Sequence, residues 1–244
     1  MTSGLAASRE RGLHARVVDV LGTEIVDGRL PVGSVLNLDD LALRFSVSRS
    51  VLREALRVLQ SLGMVEPRQR IGTQVLPRTS WDLMNPQIIL WRGRSPEYFV
   101  QMRELLELRL GLEPVAARLS AQTFTPDQAS AVEDAARTMV AAAASGDGRA
   151  YLEADVAFHS AVLRGSGNDV IGHFASTVEA LLRTRTEERR FTITEYTPAA
   201  AGLHLDLALA IRDGDADAAF SRSWRLIDTT VDEFVAESGG SPAP

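Results

Sequence analysis

The clearest pattern of apolar and polar positions lies between Ser46 and Gly63. Leu52, Ala55, Leu56 and Leu59 recur at three- and four-residue spacing, which predicts a helix with one buried face. The opposite face carries Arg49, Ser50, Arg53 and Arg57. Ser48 stands at the N-cap, where its hydroxyl can accept a bond from an amide that the helix leaves unpaired. Gly63 stops the helix. A shorter helix is predicted just upstream, over Leu38–Arg44, with Leu38, Leu41, Ala42 and Phe45 inward. Asn37 and Asp40 stand before it in a capping-box-like relation. Helix, tight turn and arginine-faced helix make a helix-turn-helix, whose second helix enters the DNA major groove.

The reading extends in both directions. Residues 1–9 read as a disordered tail. Leu13–Asp27 reads as an amphipathic helix with Val17, Val18, Leu21 and Ile25 on one side. After Gly63, the β-prone runs Met64–Pro67 and Thr73–Leu76 flank a turn holding Arg68, Arg70 and Gly72, which predicts a β-hairpin wing. Its arginines can reach phosphates or a minor groove. Gly72 is expected at the wing tip, where a missing side chain allows close approach to the groove. Pro77, Pro86 and Pro96 punctuate a connector, and Trp81 and Trp91 are expected to be buried between domains.

Beyond it, helices are predicted over Glu97–Leu119, Pro126–Ser145, Arg149–Gly165, Asp169–Glu188, Pro198–Gly214 and Asp215–Glu237, separated by Gly and Pro breaks. The fold class is therefore mainly α. A winged helix-turn-helix is expected over 10–78, a connector over 79–96, an all-helical bundle over 97–237 and a disordered tail over 238–244.

Composition changes this picture in two ways. No apolar run approaches the roughly 18 residues of a membrane span, no apolar signal-peptide core is present, and the absence of cysteine rules out disulfides and thiolate metal sites. A cytoplasmic address is expected. The net charge of −6 hides a division: residues 1–80 hold 11 Arg against 8 Asp and Glu, a net +3, and the remainder carries −9. A basic N-terminal part suits DNA. Every cation is Arg, which suits bidentate contacts to phosphate and guanine, although a GC-rich genome gives the same bias.

In the acidic part, Asp155 and His159 are four apart and share a helix face. His204, Leu207 and Ile211 fall on one stripe of a later helix, so His204 also points inward. These three groups converge either as a divalent-metal site or as core histidines with hydrogen-bond partners. Arg109 lies on a stripe with Leu105 and Leu112, and an Arg directed into a bundle needs an anion. Glu113, one turn on, can supply it, as can the carboxylate of an effector held bidentately. Arg183 and Arg185 are further candidates for that task. His173 and His14 have no evident site role.

Residues 46–57, the Leu62-Gly-Met-Val65 exit and the later Gly72-Thr-x-Val75 resemble the winged-helix domain of GntR-family transcription regulators. The helical remainder resembles the FCD-type effector domain of that family's FadR subgroup. The phrases that carry this are Arg109-x-x-x-Glu113-Pro, Asp155-x-x-Phe-His159, Ser166-Gly-Asn168 and His204 with the following Ala-Ile-x-x-Gly-Asp215. The two resemblances cover about residues 12–235. Gly72-Thr-x-Val-Leu-Pro-Arg78 with Trp81, Pro86 and Trp91 further resembles regulators of sugar-acid catabolism, such as galactonate repressors.

The resemblance implies a DNA-binding regulator, a repressor, that acts as a homodimer on a pseudo-palindromic operator. Ser48, Arg49, Ser50, Arg53 and Gly72 would contact DNA. Some members carry a basic residue where Asp39 stands here. In the bundle, the resemblance implies one Asp and three His around a divalent metal such as Zn²⁺. Three of these positions match Asp155, His159 and His204, and the fourth is Leu226, which cannot ligate. A small carboxylate effector, a sugar acid by this resemblance, would bind with Arg109, Asp155, His159 and His204. Two other readings are a metal-dependent enzyme using Asp155, His159 and His204, and a DNA-binding protein without an effector.

Overall fold

The computed structural model describes residues 2–187 and 197–237, and for 2–11, 185–187 and 237 the backbone alone. The tail expected at 238–244 and the Arg185 side chain lie outside the described residues. The chain divides into two compact units, Met1–Pro96 and Glu97–Pro244.

The first unit opens with α1 (Thr2–Val26), so the segment expected as a tail is helical from Thr2. β1 (Val35–Leu36) leads into α2 (Leu38–Phe45) and α3 (Arg49–Ser61), the two helices of the helix-turn-helix. Asn37 caps α2 by accepting from the Asp39 amide. Ser46, in the left-handed region at φ 51°, ends α2, and Ser48 caps α3 by accepting from the Val51 amide. β2 (Val65–Arg68) and β3 (Gly72–Val75) form the wing. The sheet order is β1-β3-β2, all antiparallel, with Val35 opposite Gln74 and Arg68 opposite Gly72. The third strand was not anticipated, because two residues are too few to show a period.

Leu21 from α1, Leu52 and Leu59 from α3, and Met64 beyond it are fully buried in one core. Trp91, from α4 (Pro86–Gly93), belongs to that same core. Its Nε1 donates to Asp19 Oδ1 at 2.8 Å, and Trp81 Nε1 donates to the Leu76 carbonyl at 3.1 Å. Both tryptophans, expected between domains, therefore pack on the N-terminal unit. An indole buries much apolar area but keeps one N–H to satisfy, and both partners lie within this unit.

The second unit is helical throughout its described residues. Its helices are α5 (Tyr98–Thr123), α6 (Pro126–Ser145), α7 (Gly148–Gly165), α8 (Asp169–His173), α9 (Ala175–Glu187), α10 (Pro198–Arg212) and α11 (Ala216–Glu237). One helix was expected over Asp169–Glu188. It breaks at Phe174, whose amide bonds to the Ile171 carbonyl three residues back and tightens the last turn of α8. α7 is buried along much of its length, through Tyr151, Asp155, Phe158, His159 and Val162. α5, α6 and α9 pack against it, and this places its polar residues in the interior.

Gly63, which ends α3, has φ 72°, and a Cβ there would lie 2.0 Å from the Ser80 carbonyl oxygen. Both the backbone angle and the backbone neighbour demand glycine. Gly63→Ala is therefore expected to destabilise the N-terminal unit by about 1–3 kcal/mol. A melting temperature within a degree of wild type would contradict this.

Candidate DNA-binding face and candidate metal centre

The exposed face of α3 presents Arg49, Ser50, Arg53 and Arg57, as the periodicity predicts. Ser48 spends its hydroxyl locally. It caps Val51 and shares a 2.8 Å hydrogen bond with Ser50 Oγ. Arg49 Nη2 lies 2.6 Å from Asp39 Oδ1 on α2, and Arg57 pairs with Glu54 at 2.7 Å. Arg53 makes no ion pair among the described residues. In the wing, Arg68 pairs with Glu66 at 2.5 Å. Arg70 is exposed at φ 62° in the tight turn. Gly72 is not at the tip. It opens β3 opposite Arg68 at φ 122°, and a Cβ there would come within 2.9 Å of Val35 Cγ1. The backbone angle alone is thus sufficient to require this glycine.

In the second unit, α7 brings Asp155 and His159 onto one face, and α10 brings His204 opposite them. All three are buried. Asp155 Oδ1 lies 3.2 Å from His159 Nε2 and 3.2 Å from His204 Nε2, and the two Nε2 atoms are 3.3 Å apart. The outer nitrogens fix the tautomers. His204 Nδ1 lies 2.9 Å from the Ala200 carbonyl oxygen, which can only accept, so Nδ1 carries the proton. His159 Nδ1 lies 2.7 Å from Glu113 Oε2, and burial tends to raise this carboxyl's pKa, but Arg109 and His159 hold it down at about 2. Nδ1 of His159 is therefore also the donor. Each Nε2 is left with a lone pair aimed at the same point as Asp155 Oδ1, a buried oxygen that accepts no hydrogen bond despite its two close neighbours.

Three acceptors facing one another need a cation. Burial opposes the charged form of Asp155, but the adjacent His159, in its protonated form, holds that carboxyl well below the usual range. Burial also opposes a charged His159, and the Glu113 carboxylate overrides it, so His159 takes a proton more readily than usual. A metal fits the same place. Ligand bonds of about 2.0–2.1 Å to Zn²⁺ put the edges of a tetrahedron at about 3.3 Å, which the three observed separations match. A carboxylate or carbonyl on the far nitrogen of each histidine is the usual support for such ligands.

Arg109, on α5, is buried beside this group. Its Nε donates to Glu113 Oε1 at 2.5 Å, so the helix neighbour supplies the anion. Its Nη2 lies 3.4 Å and 3.2 Å from the two nitrogens of His159. An in-plane approach at near-equal distances would collide with Cε1, so the guanidinium lies against the ring face and leaves the Nε2 lone pair open. Arg183 is occupied by Glu153 and Glu179, and His173 is exposed. Leu226 lines the cavity beside the three candidate ligands, where it offers no donor. Tyr151, Thr229, Thr230 and Glu233 supply further polar groups to the wall and were not singled out from the sequence. Their signal was present: Tyr151 is one turn before Asp155, and positions 226, 229, 230 and 233 share one helix face.

Two family models match the chain. The FCD domain covers residues 104–229, and the model described as bacterial regulatory proteins, gntR family, covers residues 13–75. The chain belongs to the GntR family. As a GntR-family protein with an FCD domain it is a transcription regulator and not an enzyme. It is 30% identical over 220 residues to the HTH-type transcriptional regulator YieP of Escherichia coli, covering 89% of this chain and 94% of that protein. It is also 30% identical to the galactonate operon transcriptional repressor of the same organism, covering 88% and 94%. Among solved structures, a GntR protein of Streptococcus agalactiae matches with a TM-score of 0.51 at 26% identity, covering 90% of this chain and 99% of that one. No helix of the described residues is long and apolar enough to cross a membrane.

The geometry around Glu113 generates a test. Glu113→Gln leaves Arg109 buried without its counter-charge, an expected loss of about 3–5 kcal/mol. Because the folded pKa is depressed, Glu113's contribution is present above the unfolded value of 4.5 and is lost as pH falls towards about 2. The difference in urea stability between wild type and Glu113→Gln is therefore expected to shrink across that window. A difference independent of pH would argue against the pairing.

Proposed function

We propose that this chain is a repressor whose hold on its operator is set by a small carboxylate effector bound at a metal centre in the helical unit. The observation that carries this is the convergence of Asp155 Oδ1, His159 Nε2 and His204 Nε2, three buried donor atoms 3.2–3.3 Å from one another. Those three residues hold the ion. With Leu226 at the fourth position, one coordination position is left to the effector. The metal supplies positive charge for an acidic ligand, which matters because Glu113 already engages Arg109. The cavity beside the three residues is about 30 Å³, room for little more than an ion or a water or two. A larger effector must therefore open it, and a ligand that favours an opened state can shift the protein's other equilibria.

Likeness to the galactonate repressor supports sugar acids as the first class to try. The protein acts as a homodimer, two recognition helices meeting two half-sites of a pseudo-palindrome. Ser48, Arg49, Ser50 and Arg53 contact DNA from α3. Gly72 serves the wing, whose backbone approaches the groove.

Melting of the full-length protein tests the metal. Stripping with a chelator is expected to lower the melting temperature by several degrees and Zn²⁺ to restore it, since occupancy at 100 times Kd adds about 2.7 kcal/mol. His204→Ala should abolish the response. A wild-type melt indifferent to both chelator and Zn²⁺ would reject the metal.

The DNA arm is independent. Arg49→Ala with Arg53→Ala should weaken retention of the protein's own promoter fragments at least tenfold, since one base-reading arginine alone is worth about 1–3 kcal/mol. Galactonate and related sugar acids should release those fragments from the Zn²⁺-loaded wild type and not from His204→Ala.

A further inference from the structure

The ion pair between Arg49 and Asp39 is unexpected on a surface that meets a polyanion. Arg49 is the first residue of α3, and Asp39 sits in the first turn of α2. Their side chains are 67% and 64% exposed, so the pair buries nothing. An exposed ion pair contributes little to folding. Asp39 is also not the cap of α2, since Asn37 accepts the bond from the Asp39 amide. Asp40, its neighbour in the same turn, has the same charge, is exposed, and makes no ion pair among the described residues. The helix dipole favours an acid at either position equally. Only Asp39 reaches across the turn to the recognition helix.

A carboxylate here must weaken attraction to phosphate, which is the sequence-independent part of DNA binding. What it gains is order. A free arginine samples many rotamers and can satisfy itself on any phosphate. A guanidinium tied through one Nη to a carboxylate on the neighbouring helix keeps its remaining N–H donors in a planar fork, the arrangement that reads guanine O6 and N7. Arg53, on the same face, has no such tether and remains available to phosphate.

We propose that Asp39 is a positioning residue for sequence readout: it pins Arg49 for guanine, lowering affinity for arbitrary DNA and raising discrimination. This rests on the reading of Arg49 as a DNA contact.

The test uses full-length protein, a duplex selected from random sequence by the wild type, and a scrambled duplex of equal length. Dissociation constants are measured for wild type, Asp39→Asn, Asp40→Asn and Arg49→Ala. Both Asp variants remove one negative charge from the same turn. Asp40→Asn should tighten binding to both duplexes by a similar factor, leaving their ratio unchanged. Asp39→Asn should tighten the scrambled duplex comparably but not the selected one, so that the ratio falls about tenfold. Replacing guanines of the selected duplex with 7-deazaguanine should weaken wild type more than Asp39→Asn. If the two Asp variants keep the same ratio, Asp39 is an ordinary first-turn acid and the proposal is overturned. If Arg49→Ala keeps the wild-type ratio, or selection enriches no sequence, the DNA-contact reading of Arg49 fails instead.

Discussion

Removing a carboxylate from water inside a helical bundle is costly unless something cationic faces it, and the second unit is arranged around that constraint. Arg109 and Glu113 cancel one another one helical turn apart on α5. The second oxygen of Glu113 then fixes the protonated nitrogen of His159, as the Ala200 carbonyl does for His204. Each of these groups is satisfied by a partner. Asp155 is the remainder. Its Oδ1 is buried without a hydrogen bond and faces two imidazole lone pairs, so the centre carries one uncompensated negative charge. A proton on His159 would cancel that charge but meet only part of the cluster, whereas a divalent ion would satisfy all three donors together. Buried polar clusters of this kind rarely exceed a well-packed apolar core in stability. A binding role, as proposed, would account for its presence better than stability does.

The first unit obeys the opposite regime. The arginines on the outer face of α3 are in water, where an ion pair adds little to folding and is screened by salt. Arg57 with Glu54 and Arg109 with Glu113 are alike on paper, an arginine and a glutamate about one turn apart on a helix. The first pair is solvated and exchangeable, and the second is sealed. The same chemistry serves reversible contact in one unit and permanent scaffolding in the other, and burial alone makes the difference.

That contrast also explains which features were legible in the sequence. The helix-turn-helix was, because Leu52, Ala55, Leu56 and Leu59 mark a buried face and leave the arginines opposite. The i, i+4 spacing of Asp155 and His159 was legible for the same reason, as was the inward face of His204. What period cannot show is which helix lies opposite. Glu113 was read only as a partner for Arg109, and its second contact to His159 depends on how α5 packs on α7. Trp91 was read as an interdomain residue because prolines flank it, yet its indole N–H finds Asp19 seventy-two residues back. Gly72 was placed at the wing tip, and the strand that crowds it, β1, is two residues long. Each miss is a long-range contact that local spacing does not encode.

The role of α11 follows from the same geometry. On the proposed reading, an ion at the centre ties α7, through Asp155 and His159, to α10, through His204. A fourth protein ligand at position 226 would tie in α11 as well and close the coordination shell. Leu226 does neither. It keeps α11 in apolar contact with the cavity while giving it no bond to the ion, and Thr229, Thr230 and Glu233 follow on the same face. Any link between α11 and the ion must then be supplied by whatever fills the open position. On that reading, leucine in place of a fourth ligand would cost some metal affinity and would make the attachment of α11 to the centre conditional on the effector.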